Sequence, residues 1–332
     1  MDVFYPKYYE QFVCIASACP DSCCKEWSVD VDAQSAAYYR ALPGSLGDRL
    51  RQVLQDTDDG TIMTIENGRC PMWRQDGLCR IQAELGHDAL CRVCREFPRL
   101  RHDYGDFVEL GLELSCPEAA RLILSDADCI READSAPDSD KVEYDQEIMA
   151  ILMRSRNDFE KFLDATALPF PHILAILLLY AYDVQAEIDG DNPAVLTWEK
   201  NLTDAQSFAK SGDAQSIYDF FLGLELLTSK WVDLLKSPVG QPRWIPQHKA
   251  LLRYFIYRYW LQAVSDYDFV CRAKFIIVSC LLVGLLGGNI LETAQLFSKE
   301  IENDPDNVEA ILDAAYTSEA FTDLNLLGLL LQ

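Results

Sequence analysis

The chain has 332 residues, 49% of them hydrophobic, which supports a substantial core and excludes an intrinsically disordered protein. Its formal net charge of −24 repels nucleic acid and anionic lipid, so general binding to either is excluded. Such a charge suits a soluble protein with a basic, lysine-presenting partner. Met1–Pro6 shows no basic region followed by an apolar run, so a reducing, cytoplasmic setting is expected, where stable disulfides are rare.

Along the chain, helical pattern is interrupted at first. Gln34–Leu54 predicts one or two helices around Pro43-Gly44, and Gln82–Val93 a short one, while Thr61–Ile65 and Phe107–Leu114 alternate weakly, as strands do. Residues 126–145 gather Asp126, Asp128, Glu132, Asp134, Asp138 and Asp140 among small residues and Pro137, which reads as an acidic linker or exposed loop. Beyond it helical periodicity dominates: Tyr144–Ala165, Pro171–Ala186, Pro193–Lys210, Ala214–Lys236, Pro246–Ser265, Asp268–Leu286, Ile290–Glu302, Val308–Tyr316 and Glu319–Leu330. Pro171, Pro193 and Pro246 suit first-turn positions, and Asn307 suits an N-cap. The apolar runs Ile173–Tyr180 and Phe275–Gly287 fall short of the ~20 residues of a membrane span and read as buried helices, leaving peripheral membrane contact open. The expected fold is therefore mainly α. An irregular cysteine-rich module with minor β, residues 1–125, packs on an α-helical bundle, residues 146–332.

Nine of the twelve cysteines fall in the first 116 residues: Cys14, Cys19, Cys23, Cys24, Cys70, Cys79, Cys91, Cys94 and Cys116. Their odd number and the missing export signal argue against a disulfide framework. Burial as a small hydrophobe suits Cys129, Cys271 and Cys280, which stand apart. For the clustered nine, metal ligation is the stronger reading, because thiolates select zinc, copper(I) or iron–sulfur clusters. Cys91-x2-Cys94 would serve as one zinc knuckle, but Cys19-x3-Cys23-Cys24 is not the usual second, and nine thiols exceed the four that one zinc takes. Spacing thus favours a cluster over zinc. Arg92, Arg95, Arg99 and Arg101 surround the second pair and could offset thiolate charge; Arg92, Arg95 or Arg99 could instead grip the carboxylate of an amino-acid-derived cofactor. His87 and His102 flank the same stretch.

The same residues carry a family resemblance. The run from Phe12 to Trp27 followed by Val29-Asp30-Val31-Asp32, the block Cys70-Pro71-Met72-Trp73 with Asp76–Gln82, Leu90–Arg99, and Leu114–Leu122 resemble the flagellin lysine-N-methylase family. Tyr254–Trp260 with Arg272-Ala273-Lys274-Phe275 resembles that family's C-terminal helices. The resemblance implies methyl transfer from S-adenosylmethionine to surface lysines of flagellin, and a [4Fe-4S] cluster held by the cysteines. Neither the strand–Gly-x-Gly–helix signature of a Rossmann-type methyltransferase nor the Cys-x3-Cys-x2-Cys run of radical methyl-transfer enzymes is present. Tyr8, Tyr9, Trp27, Trp73 and Tyr104 are aromatic candidates for receiving the lysine, and Asp21 and Glu118 are acid candidates. The competing expectation is a non-catalytic zinc- or iron-binding module for storage, delivery or assembly.

Overall fold

A computed structural model describes residues 2–125 and 143–331, and the backbone of 130–133. The fold is mainly α with two small sheets, as the sequence predicts. In the first sheet, Asp2–Pro6 runs parallel to Phe107–Leu112, which pairs antiparallel with Arg99–Asp103. Ile130–Ala133 pairs antiparallel on the other side of Asp2–Pro6, so part of the expected acidic linker is a strand. Cys129 and most of that acidic run lie outside the described residues. The second sheet joins Val29–Val31, Gly60–Met63 and Leu54–Thr57 in antiparallel register.

The Gln34–Leu54 pattern resolves into two helices, Ala33–Ala41 and Gly44–Val53. The single helix expected over Gln82–Val93 is instead Arg80–Leu85, a 3₁₀ turn at His87–Ala89, and Arg92–Glu96. Gly86, at φ +88°, ends the first piece, because its left-handed backbone cannot continue a helix. In the C-terminal half the order of helices follows the periodicity, but two predicted segments are broken. Ala214–Lys236 divides into Ala214–Leu222 and Ser229–Leu235, and Ile290–Glu302 passes from an α-helix into a π-helical turn at Ser298–Glu302. Asn307 is not the N-cap of its helix. Asp304 is, its carboxylate accepting from the N–H groups of Asp306 and Asn307, while Asn307 is the third residue of the helix. Of the three prolines, Pro171 occupies the first turn, Pro246 is itself the N-cap, and Pro193 precedes the Trp198–Phe208 helix by five residues.

Two hydrophobic cores organise the chain. The larger combines the C-terminal helices with Tyr8, Phe12, Phe107, Leu112 and the Pro117–Ser125 helix. The apolar Phe269–Leu286 helix has the length and hydropathy of a membrane span, but 94% of it is buried in this core. Two polar links hold the first sheet on the helices, and a third ties two of the helices together. Arg156 makes a bidentate pair with Glu109, at 2.6 and 3.2 Å, both side chains buried. The Tyr257 hydroxyl lies 3.0 Å from both the Phe4 and Leu110 carbonyls and shares its proton between them. Trp260 donates its indole N–H to Ser155. The smaller core lies inside residues 29–91 and packs Tyr39, Leu50, Met63, Met72 and Ile81 with Cys70 and Cys91.

Candidate functional site

Turns in the N-terminal part bring distant cysteines together. Asn67 and Gly68 both adopt positive φ, +52° and +72°, the conformation of a type I′ turn, and Glu66 and Arg69 exchange backbone hydrogen bonds across it. The returning strand meets residues 24–26: Glu26 N–H donates to the Gly68 carbonyl and Cys70 N–H to that of Cys24. A second turn at Asp76-Gly77 folds Cys79 back against Trp73. Cys79 and Cys91 are the N-caps of their short helices, and Cys116 immediately precedes Pro117–Ser125. Asp32 fixes the Cys91–Cys94 turn from outside. Its carboxylate caps Ala33–Ala41 through the Ser35 N–H and also accepts the Arg92 N–H, which draws its pKa down to about 2.

Six thiols from four segments, Cys23, Cys24, Cys70, Cys79, Cys91 and Cys94, lie within electrostatic reach of one another around the smaller core. Hydrogen bonds run from Cys23 to Cys24 and from Cys24 to Cys70, lowering the Cys70 pKa through the donated S–H. Cys24 receives that of Cys23, but its own bond to Cys70 and burial push it up to about 12. In the Cys91–Cys94 pair, the hydrogen bond from Cys94 draws the Cys91 pKa down to about 7. Backbone N–H groups point at the sulfurs: Gln82 and Ile81 at Cys79, Met72 at Cys70. Cys14, Cys19 and Cys116 form a second, looser set; burial pushes Cys116 up to about 12 and raises Cys19, which also feels Cys23. Cys271 and Cys280 are buried on the Phe269–Leu286 helix, far along the chain from either set, in the filler role expected of them. An all-sulfur donor set ringed by N–H groups has the chemistry that a soft metal or a cluster takes. Among the described residues, however, no three His, Cys, Asp or Glu side chains close into a metal-binding group.

The arginines spread outward. Arg92, Arg95 and Arg99 are all exposed. Arg95 borders a shallow cleft with Asp32, Tyr38 and Asp88, and Arg99 lies over the Phe12 ring at 5.1 Å. Arg101 pairs with Asp103. His87 is exposed beside Asp88, whereas His102 is turned inward, its Nε2 buried without a partner. Burial, with Arg258 nearby, lowers the His102 pKa to about 4. Glu118 is committed to Arg121, and Tyr8 and Tyr104 belong to the larger core. Trp73 stacks under Arg69 at 3.9 Å.

Beside the six thiols opens a cavity of about 370 Å³. Cys23, Cys94, Trp27 and Phe97 line one side; Glu225, Lys299, Glu300 and Asn303 come from the C-terminal half. Lys299, only 1% exposed, is the joint between the halves. Its ammonium lies 3.1 Å from Asp21 and 2.7 Å from Glu26, and 4.8 Å from the centre of the Trp27 ring. Gln295 adds hydrogen bonds to Asp21 and to the Ser115 carbonyl. Asp21, an acid candidate in the sequence, is thus the anchor of the cysteine loop, with Lys25 as a further partner and its pKa lowered by Lys299 against the effect of burial. The π-turn that carries Lys299 is held from behind: buried Glu302 accepts from Tyr254 and Tyr259 and lies 3.3 Å from Arg258. Glu300 accepts the Leu227 N–H at 2.7 Å and the Thr228 hydroxyl, and burial raises its pKa. π-Turns interrupt helices most often at functional positions. Sequence periodicity missed this element, although Lys299, Glu300 and Glu302 beside the apolar Phe297 and Ile301 were a signal, since charges crowd what should be a buried helix end.

Comparison with known proteins gives three relatives. The chain is 35% identical over 138 residues to the flagellar biosynthetic protein FliU of Salmonella muenchen, an alignment covering 38% of this chain and 78% of FliU. It is equally 35% identical over 138 residues to proteins named lysine-N-methylase from Salmonella typhimurium and Salmonella choleraesuis. Those alignments also cover 38% of this chain, but they span only 33% of each relative's length. No family model and no solved structure matches.

Proposed function

The chain belongs to the flagellin lysine-N-methylase family, and from that premise we propose that it is a cytoplasmic enzyme that methylates surface lysines of flagellin with S-adenosylmethionine. The observation that carries this reading is the cavity itself: an acidic, aromatic-walled space opening directly beside the gathered thiols. In this reading Cys23, Cys24, Cys70, Cys79, Cys91 and Cys94 are the first candidates to hold a [4Fe-4S] cluster, with Cys14, Cys19 and Cys116 as the nearby reserve. Bound there, a cluster would supply redox chemistry or an open iron for the donor's amino-acid end.

The remaining chemistry falls to the chain's own side chains. A methyl-accepting lysine must be neutral, and a free lysine has a pKa near 10.4, so its site has to remove it from water. Leu226, Leu227 and Phe97 are apolar residues of the cavity wall, and a lysine brought up beside a donor held there would lose water against them. The net charge of −24 attracts a lysine-presenting partner from a distance. The test is anaerobic incubation of the full chain with flagellin and S-adenosylmethionine, followed by mass spectrometry of lysine-containing peptides. Methyl additions are the expected result. Bound iron without any methylation would replace this reading with that of a metal-binding module.

A further inference from the structure

We propose that the cavity between the cysteine loop and the π-turn is the binding site of the sulfonium methyl donor, and that it selects the donor by its positive charge. This deepens the methylase reading and rests on it. The volume of about 370 Å³ lies within the ~300–1,000 Å³ of small-molecule sites, and a lysine side chain alone would leave much of it empty. The charged residues of the wall are mostly acidic, with Asp30, Glu113, Glu225, Glu300 and Asp304 lining it against one cation, Lys299. The charge of Lys299 is already spent on Asp21 and Glu26, so the carboxylates outweigh it.

The carboxylates divide by availability. Glu300 is engaged by Leu227 and Thr228, Asp304 caps its helix, and Glu113 accepts from Ser115. Asp30 and Glu225 are exposed, and the Glu225 backbone is fixed in place by both ends of the Asn307 side chain: the Glu225 N–H donates to the amide oxygen and its carbonyl accepts from the amide nitrogen. Trp27 supplies the aromatic surface. Its indole N–H donates to the Cys23 carbonyl at 3.1 Å, which sets the ring plane, and the ring already has the Lys299 ammonium 4.8 Å from its centre. A ring so placed attracts cations through its quadrupole, and a sulfonium is one. Arg92, Arg95 and Arg99 do not border this space.

The experiment compares S-adenosylmethionine with S-adenosylhomocysteine, which has nearly the same shape but an uncharged sulfur, by isothermal titration on the anaerobically purified full chain. Wild type should bind S-adenosylmethionine about tenfold more tightly. Glu225→Gln should reduce that difference, and Glu225→Gln with Asp30→Asn should erase most of it, while each leaves S-adenosylhomocysteine binding within twofold. Trp27→Phe should weaken the preference without abolishing binding. Equal affinity of the two ligands for wild type, an unchanged preference in Glu225→Gln, or no binding of either ligand would overturn the proposal. A lysine peptide that competes with S-adenosylmethionine for the cavity would also overturn it, by giving the space to the acceptor. The methylase reading fails separately: charge-selective donor binding without methyl transfer to flagellin would leave the cavity assignment standing and remove the methylase reading.

Discussion

Lys299→Met cuts the joint between the two halves of the molecule without emptying the space the side chain fills. In the wild type the ammonium is 1% exposed, while Asp21 and Glu26 remain 23% and 36% exposed. Breaking a fully buried pair costs about 3–5 kcal/mol, and an exposed pair contributes about 0–1. Here the lost cation was buried but both carboxylates keep solvent, and Asp21 retains Lys25 at 3.0 Å and Gln295 at 3.2 Å. The expected loss therefore falls between those limits, at about 2 kcal/mol, or roughly a 3 °C fall in Tm for a chain of this size. The sharper consequence is local. Asp21 and Glu26 flank Cys23 and Cys24, so freeing them loosens the loop that carries those thiols. Thermal melts and the rate of thiol labelling, on metal-free protein under argon, read both effects. Labelling of Cys23 and Cys24, located by peptide mapping, should accelerate several-fold, and Lys299→Arg should restore much of the protection. A variant that loses stability while its Cys23 and Cys24 label at the wild-type rate would refute the reasoning, because Lys299 would then brace only its own half.

The other outcomes follow from separate parts of the structure. Cys91→Ser or Cys94→Ser should abolish anaerobically bound iron and acid-labile sulfide, whereas Cys280→Ser, buried on the Phe269–Leu286 helix, should leave both unchanged; equal loss from all three would break the link between position and ligation. Tyr257→Phe removes the hydroxyl shared by the Phe4 and Leu110 carbonyls and should cost about 1–2 kcal/mol in urea unfolding, with a loss below 0.3 arguing that water takes its place. His102 has a folded pKa of about 4, below the ~6.5 of an unfolded histidine, so the unfolded chain takes up this proton first. Its contribution to stability is complete above pH 6.5 and is lost as pH falls toward 4, by at most about 3 kcal/mol at 1.36 kcal/mol per unit. His102→Gln should flatten that part of the stability–pH curve, and an unchanged slope between pH 4.5 and 7.5 would assign it to other groups.

Much of the C-terminal half was legible because its helices are strongly patterned: Gln146–Ala165 buries one apolar face and prints its period on the sequence, while Phe269–Leu286 is apolar all round, the mark of a helix buried on every side. The N-terminal half was legible only as a cysteine pattern. Its connections depend on single residues with special backbone angles, Asn67, Gly68, Gly77 and Gly86, and those mark where the chain turns without saying what it meets. The nine cysteines stand out in the sequence as one set, but their division into six and three depends on contacts between residues up to 46 apart, such as Cys24 and Cys70. The Asp21 contact with Lys299 spans 278 positions and leaves no local trace at all.

That long contact also explains why the site cannot be assigned to the cysteine-rich segment alone. The thiols come from residues 23–94, but the loop bearing Cys19, Cys23 and Cys24 is fixed by Gln295 and Lys299, and the cavity is closed by Glu225, Glu300 and Asn303. The π-turn makes this geometry available. Its extra residue lets buried Lys299 reach the cysteine loop and Glu300 tie down residues 227–228, while Glu302 on the same turn is gripped by Tyr254 and Tyr259. A regular α-helix through Ser298–Glu302 would rotate these three charged side chains by a fraction of a turn and leave at least one buried without its partner. Burying an unpaired charge is costly enough that such a register is disfavoured. The interruption of the helix, the orientation of the cysteine loop and the existence of the cavity are therefore one arrangement, held by residues from both ends of the chain.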